Sequence, residues 1–297
     1  MKRMAAIFLG VGALMLGGAA SAQSSDMSVQ SLQRAFACAV QPVLKVPVQE
    51  QQSYERRIRN AVDLSEAVRG RLLDTSQYLL VVDRDPGIQA ALLYFVDASG
   101  GAAQLHFIGA TPVSTGRPSG FDHFETPTGL FEHVPSNPDF RAEGTYNENG
   151  VRGYGSKGMR VYDFGWQTAT QGWGAHGPGQ MRLQMHATDP VLLEPRLGTR
   201  QSKGCIRIAA SFNRLLDRYA LLDQAYLAAA DMPSVRWMLR ADRTATSWPG
   251  RWLLVVDSSR GGVPGWARPL RTAPAACKEV DATVFARPAA PRVAPDP

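Results

Sequence analysis

Two patterns of hydrophobic and polar positions alternate along this chain. Ala61, Leu64, Val68 and Leu72 recur at spacings of three and four while charged residues fill the other face, so residues 51–73 are expected to be helical. A shorter helix is expected over 31–40, stopped by Pro42 and Pro47. From Tyr78 the chain turns to short apolar runs at 78–82, 91–96 and 104–110, separated by Asp-Pro-Gly (85–87) and Ser-Gly-Gly (99–101). That spacing predicts antiparallel strands joined by turns. Turn clusters at 116–120, 135–138 and 147–150 set off further candidate strands at 129–133, 160–164 and 181–186. One helix interrupts them, with Ser211 as its expected N-cap and an apolar stripe of Phe212, Leu215, Leu216, Tyr219 and Leu222. Strand-like runs return at 235–239 and 252–257, and residues 286–297 are rich in alanine and proline, as expected of a disordered tail. The pattern predicts a mainly β fold, a sandwich or partial barrel with flanking helices.

Composition narrows this picture. With 44% apolar residues in 297, the chain can bury a substantial core, which excludes a disordered or fibrous protein. The 28 glycines and 20 prolines favour turns and short strands over long helices. Residues 1–22 have the layout of a signal peptide: Lys2 and Arg3, an apolar stretch from Ala5 to Leu16, and the small-residue site Ala20-Ser21-Ala22. Cleavage there starts the mature chain at Gln23, in the periplasm. No later segment has the eighteen or so apolar residues of a membrane span, so no stable span is expected after cleavage. The formal charge of +6 falls to +4 without Lys2 and Arg3, and no basic run of five or more occurs, so nucleic acid is not an expected partner.

Three cysteines in an oxidising compartment leave one thiol unpaired. Cys38 and Cys277 flank the expected core and are candidates for a disulfide. Cys205 lies in the stretch Arg200-Gln201-Ser202-Lys203-Gly204-Cys205-Ile206-Arg207, and fifteen residues separate Ser202 from His186 in Met185-His186-Ala187-Thr188-Asp189. Nucleophilic chemistry at cysteine needs a thiolate, a base and donors for a developing oxyanion. Cys205 can supply the sulfur, His186 the imidazole, and the N–H groups at Gly204 and Cys205 the donors. On spacing alone, a structural histidine and a buried thiol remain the alternative.

The same residues resemble a known family, the L,D-transpeptidases with a YkuD-type catalytic domain. Its signature is a histidine, a gap of about fourteen to seventeen residues, then Ser/Thr-His-Gly-Cys and an apolar residue followed by Asn or Arg. His186, Ser202, Gly204, Cys205, Ile206 and Arg207 match in order, and Val113-Ser114-Thr115-Gly116 and Thr126-Pro127-Thr128-Gly129-Leu130-Phe131 are also similar to it. The resemblance spans roughly 77–227 and implies an L,D-transpeptidase-like β-sandwich catalytic domain. It further implies that Cys205 attacks the third residue of a peptidoglycan stem peptide and releases D-alanine. An amine on a neighbouring stem, giving a 3→3 cross-link, or on a wall-anchored lipoprotein then resolves the thioester. His186 is implied as general base and acid, Gly204 and Cys205 as oxyanion donors, and Ser202 and Arg207 as substrate-binding residues. No cofactor is implied. The alternatives are an L,D-carboxypeptidase or endopeptidase with water as acceptor, and a catalytically silent wall-binding domain.

Around this domain, 1–22 reads as signal peptide, 23–76 as a mostly helical N-terminal segment, 228–285 as a C-terminal extension with further strands and 286–297 as tail. Lys203 replaces the usual histidine. It either raises the local positive potential in favour of the Cys205 thiolate or is a solvated surface lysine. His106, His123 and His133 read as structural rather than catalytic. The glycine-rich segment 172–179, with His176, Trp166 and Tyr162, reads equally as a flap over the site or as an ordinary turn with core aromatics. A zinc site through His186, Asp189 and Cys205 lacks any close ligand pair, so no metal is expected.

Overall fold

The computed structural model describes residues 28–65, 68 and 71–269. The export segment 1–22, Cys277 and the tail at 286–297 lie outside the described residues.

The described chain runs α1 (Val29–Ala39), α2 (Val48–Asp63), β1 (Gln77–Asp83), β2 (Ala90–Asp97), β3 (Gln104–Pro112), β4 (Gly129–Glu132), β5 (Phe140–Arg141), β6 (Arg160–Thr170), β7 (Pro178–Ala187), β8 (Ile206–Ile208), α3 (Ala210–Arg218), α4 (Gln224–Ala228), α5 (Pro233–Arg236) and β9 (Trp252–Val256). It is mainly β, in two mixed sheets ordered β3-β2-β1-β9-β4 and β5-β6-β7-β8. β9 arrives from the far end of the chain and lies parallel to β1, and β8 lies parallel to β7.

The unbroken apolar runs of β1 and β2 follow from burial on both faces. Leu80, Val82 and Leu93 face a core shared with Leu183 and Met185 of β7, Ile206 and Ile208 of β8, Phe36 of α1 and Phe212 of α3. Leu79, Val81, Leu92 and Tyr94 face the other way, where Tyr54, Ile58 and Val62 of α2 cover them. The Phe36 and Phe212 rings meet edge to face at 5.7 Å, which ties the two helices across the open side of the core.

Three expectations need correction. α2 stops at Asp63 rather than near 73: Leu64 is 88% exposed, and Val68 and Leu72 reach the core from a turn after the helix. α3 is capped at Ala209, and Ser211 sits inside it, exchanging bonds with the Gln41 backbone (3.0 Å in, 2.9 Å out) that clamp the helix to the chain after α1. Residues 235–239 contain no strand. Pro233 opens the short helix α5, and Val235, Met238 and Leu239 have the i, i+3, i+4 spacing of one helical face, closing a small core on Tyr226. β5 and β8, two and three residues long, carry too little pattern to be read from sequence.

Charges are buried where the second sheet meets the segment after α3. Arg160, fully buried, donates from Nε to Asp139 at 2.6 Å and from Nη1 to Asp223 at 2.7 Å, with Asp217 at 3.5 Å. Its guanidinium carbon lies 4.9 and 4.8 Å from the ring centroids of Tyr162 and Tyr226, whose faces stand in for the oxygen partner that Nη2 lacks. His133 bonds Asp139 at 2.9 Å through Nε2 and the Leu222 carbonyl at 2.9 Å through Nδ1, a structural role as expected. Burial opposes its charged form, but the Asp139 carboxylate outweighs that and raises its pKa. Asp139→Asn removes the charge that serves both cations. It is expected to cost about 3–5 kcal/mol, read as a lower urea midpoint with an unchanged slope.

Candidate active site

The parallel pairing of β7 and β8 assembles the site. Met185 faces Ile206, His186 faces Arg207, and Ala187 faces Ile208. Because side chains alternate along a strand, the core takes Leu183, Met185, Ile206 and Ile208, and Gln184, His186 and Arg207 point to the opposite face. Cys205, immediately before β8, joins that face, and the Gln184 N–H is directed at its sulfur. Residues nineteen positions apart in sequence thus become neighbours across one strand pair.

The turn leading into Cys205 is held by hydroxyls. Ser202 is buried and donates to the Cys205 carbonyl at 2.5 Å, while accepting the Gly204 N–H at 3.1 Å. Thr126 donates to the Gly204 carbonyl at 2.7 Å and accepts the Gly116 N–H at 2.9 Å. A side chain at Gly116 would meet the Phe124 carbonyl at 1.9 Å, and one at Gly204, whose φ is +131°, would meet the Met181 sulfur at 2.7 Å. The glycines in the two motifs therefore let three backbone segments close on one another. Ser202, which the sequence placed at the substrate, spends its hydroxyl on the turn, and so does the Gly204 amide. The Cys205 amide remains beside the sulfur.

The imidazole of His186 is 4% exposed. Its Nδ1 lies 2.6 Å from the Ala187 carbonyl, which can only accept, so Nδ1 carries the proton and Nε2 keeps its lone pair. Burial, offset in part by that bond and reinforced by the Arg207 charge, lowers its pKa to about 4. Cys205 is free and half-buried. Burial raises its pKa, and the amides of Gln184 and Cys205 and the Arg207 charge only partly counter this. At neutral pH the resting pair is thiol and imidazole, not thiolate and imidazolium.

Residues that the sequence reading did not single out complete the face. Asp163 of β6, 1% exposed, accepts from Arg182 Nε at 2.7 Å and Gln184 Nε2 at 2.8 Å, while its own N–H donates to Asp139 at 2.9 Å. This fixes the Gln184 amide with its oxygen toward the Tyr154 hydroxyl at 3.4 Å. The Tyr154 ring stands edge-on to His186 at 4.7 Å. A charged residue inside the apolar run 160–164 was the available signal for Asp163, and the two-residue period before His186 was the signal for Gln184. Tyr154 had none.

Several candidates lie elsewhere. Lys203 pairs with Asp122 at 2.8 Å, both well exposed, and the cation that acts on the thiol is Arg207. Asp189 caps its loop, accepting from the backbone of Arg152, Val191 and Leu192. Among the described residues no group of three or more histidine, cysteine or acidic side chains is placed to hold a metal ion. His106 lies on β3 near Asp97, at 3.9 Å. His123 bonds Arg117 on the rim at 2.6 Å, and His176 bonds the Gln171 carbonyl at 3.1 Å. The segment 172–179 closes the β6–β7 hairpin and is stitched to the loop before β4 by Gly172 N–H to His123 (2.7 Å) and Gly120 N–H to Gly172 (2.9 Å). Cys38 is disulfide-bonded, and Cys277 lies outside the described residues.

A neutral resting pair makes a kinetic statement. Alkylation of Cys205 by iodoacetamide is expected to accelerate only beyond the ordinary thiol value of 9.0. Arg207→Gln moves the profile further up, because it removes a charge that favours the thiolate. An inflection below pH 7 in the wild-type profile would instead mean a preformed ion pair.

No curated protein matches the chain. Residues 77–223 match the YkuD family, the L,D-transpeptidase catalytic domain, a span that runs from β1 through Cys205 to the buried Asp223. With the mainly β fold and the His186–Cys205 face inside that span, the chain belongs to the L,D-transpeptidase family.

Proposed function

We propose that this chain is an exported, cysteine-dependent L,D-transpeptidase acting on peptidoglycan stem peptides in the periplasm. The observation that supports the reading is the shared face of β7 and β8, which carries both a neutral imidazole with a free Nε2 and, immediately before β8, a free thiol. His186 Nε2 takes the Cys205 proton as sulfur attacks the carbonyl of the third stem residue. The developing oxyanion is met by the Cys205 N–H, the amide left after Gly204 is committed to Ser202. His186 returns the proton to the departing D-alanine amine, leaving a thioester. An amine of a second stem, or of a wall-anchored lipoprotein, gives up its proton to His186, attacks the thioester carbon and regenerates the thiol. No helix among the described residues is long and apolar enough to cross a membrane.

The test incubates the mature protein with disaccharide tetrapeptides beside Cys205→Ala and reads products by mass spectrometry. Loss of D-alanine with 3→3 dimers is expected from wild type, and a loss of at least about a thousandfold from the variant. Cysteine-dependent tripeptides without dimers would make water the acceptor and the enzyme a carboxypeptidase. No cysteine-dependent product would leave a wall-binding domain.

A further inference from the structure

We propose that Phe121, Trp173 and Phe124 form a platform for the glycan strand from which the stem peptide hangs, an inference that rests on the function proposed above. Phe124 is rooted against the main core, and a Cβ on Gly204 would lie 3.3 Å from its own Cβ. Trp173 stands edge-on to Phe124 at 4.9 Å, and Phe121 follows at 5.8 Å. Phe121 is 82% exposed, so most of its apolar surface stays in water despite the contact with Trp173.

The rings sit on a rigid base. Phe124 N–H bonds the Lys203 carbonyl at 3.1 Å, Glu125 N–H bonds Thr170 at 3.0 Å, and the Gly120, Gly172 and His123 backbones lace the two loops together. The platform is thus fixed to the turn that carries the nucleophile. A polar rim surrounds it, made of the exposed Lys203–Asp122 pair and the Arg117–His123 pair.

Two arguments select a sugar as the occupant. The first is chemical. The axial C–H faces of a pyranose are apolar and flat, its hydroxyl and amide groups are equatorial, and an exposed ring such as Phe121, backed by Trp173 and Phe124 and set in a polar rim, matches both. The second is reach. A stem acylated through its third residue puts three residues between the sulfur and the sugar, roughly 10 Å of extended chain. Phe124 begins the row of rings two residues from Cys205 in the fold, through the bond from its N–H to the Lys203 carbonyl at 3.1 Å.

The test compares a disaccharide tetrapeptide with the same tetrapeptide lacking sugar, for wild type, Phe121→Ala and Trp173→Ala, and separately titrates peptide-free glycan strands against tryptophan fluorescence. Phe121 is so exposed that its truncation leaves folding intact, which keeps the comparison valid if Trp173→Ala misfolds. Wild type is expected to favour the sugar-bearing substrate by about tenfold in kcat/KM, mostly through KM, and the Phe121 variant to bring the ratio toward one. Equal use of both substrates by wild type, or an unchanged ratio in Phe121→Ala, overturns the platform. If neither substrate turns over, the proposed activity fails. The platform then stands or falls on whether peptide-free strands quench wild type and quench Phe121→Ala more weakly. Concentration-dependent dimers lost in Phe121→Ala, with no glycan binding, would assign the rings to self-association instead.

Discussion

A guanidinium without solvent must be neutralised where it lies. Arg160 opens β6 from a fully buried position, so the chain has to bring carboxylates to it, and it does so from three places: Asp139 before β5, Asp217 in α3 and Asp223 after it. Two of these partners, Asp139 and Asp223, fix segments outside the helices and strands. The same Asp139 holds His133 at the end of β4 and the N–H of Asp163. Asp163 then orients Gln184 and Arg182 beside Cys205 and His186. The buried ions are therefore continuous with the site, and β6 transmits the constraint across one strand spacing.

The second constraint is the parallel seating of β8 on β7. Parallel strands need a crossover, and the chain between them, residues 188–205, supplies it with a loop and a hydroxyl-braced turn rather than a long helix. That turn is tight enough to exclude any side chain at Gly116 or Gly204. The cost is that hydrogen-bond donors near the thiol are used internally. The result is that three converging segments, and not the short strand that follows, set the backbone position of Cys205.

Much of this was legible in the sequence, for physical reasons that differ by element. β1 and β2 were plain because burial on both faces leaves unbroken apolar runs. α2 was found but overextended, because Val68 and Leu72 continue a helical spacing that the chain realises as a turn. Residues 235–239, which α5 opens, were misread as a strand because five residues with four apolar side chains fit either period. Cys205 and His186 were found through motif order, which carries no geometry. Pattern alone could not say that Ser202 faces inward, that Lys203 is neutralised by Asp122, or that Asp163 lies beside the thiol. Those facts depend on pairings between residues tens of positions apart, and one sequence does not record them.

Arg207 bears on both members of the Cys205–His186 pair. Its charge favours the Cys205 thiolate and disfavours the His186 imidazolium, so it does little for an ion pair that holds both. What it favours is net negative charge on the face. An ion pair and an oxyanion opposite an imidazolium are both neutral overall, so what the Arg207 charge does is keep the imidazole unprotonated and available as an acceptor. Burial, more than Arg207, sets the protonation of both groups: it raises the thiol and lowers the imidazole.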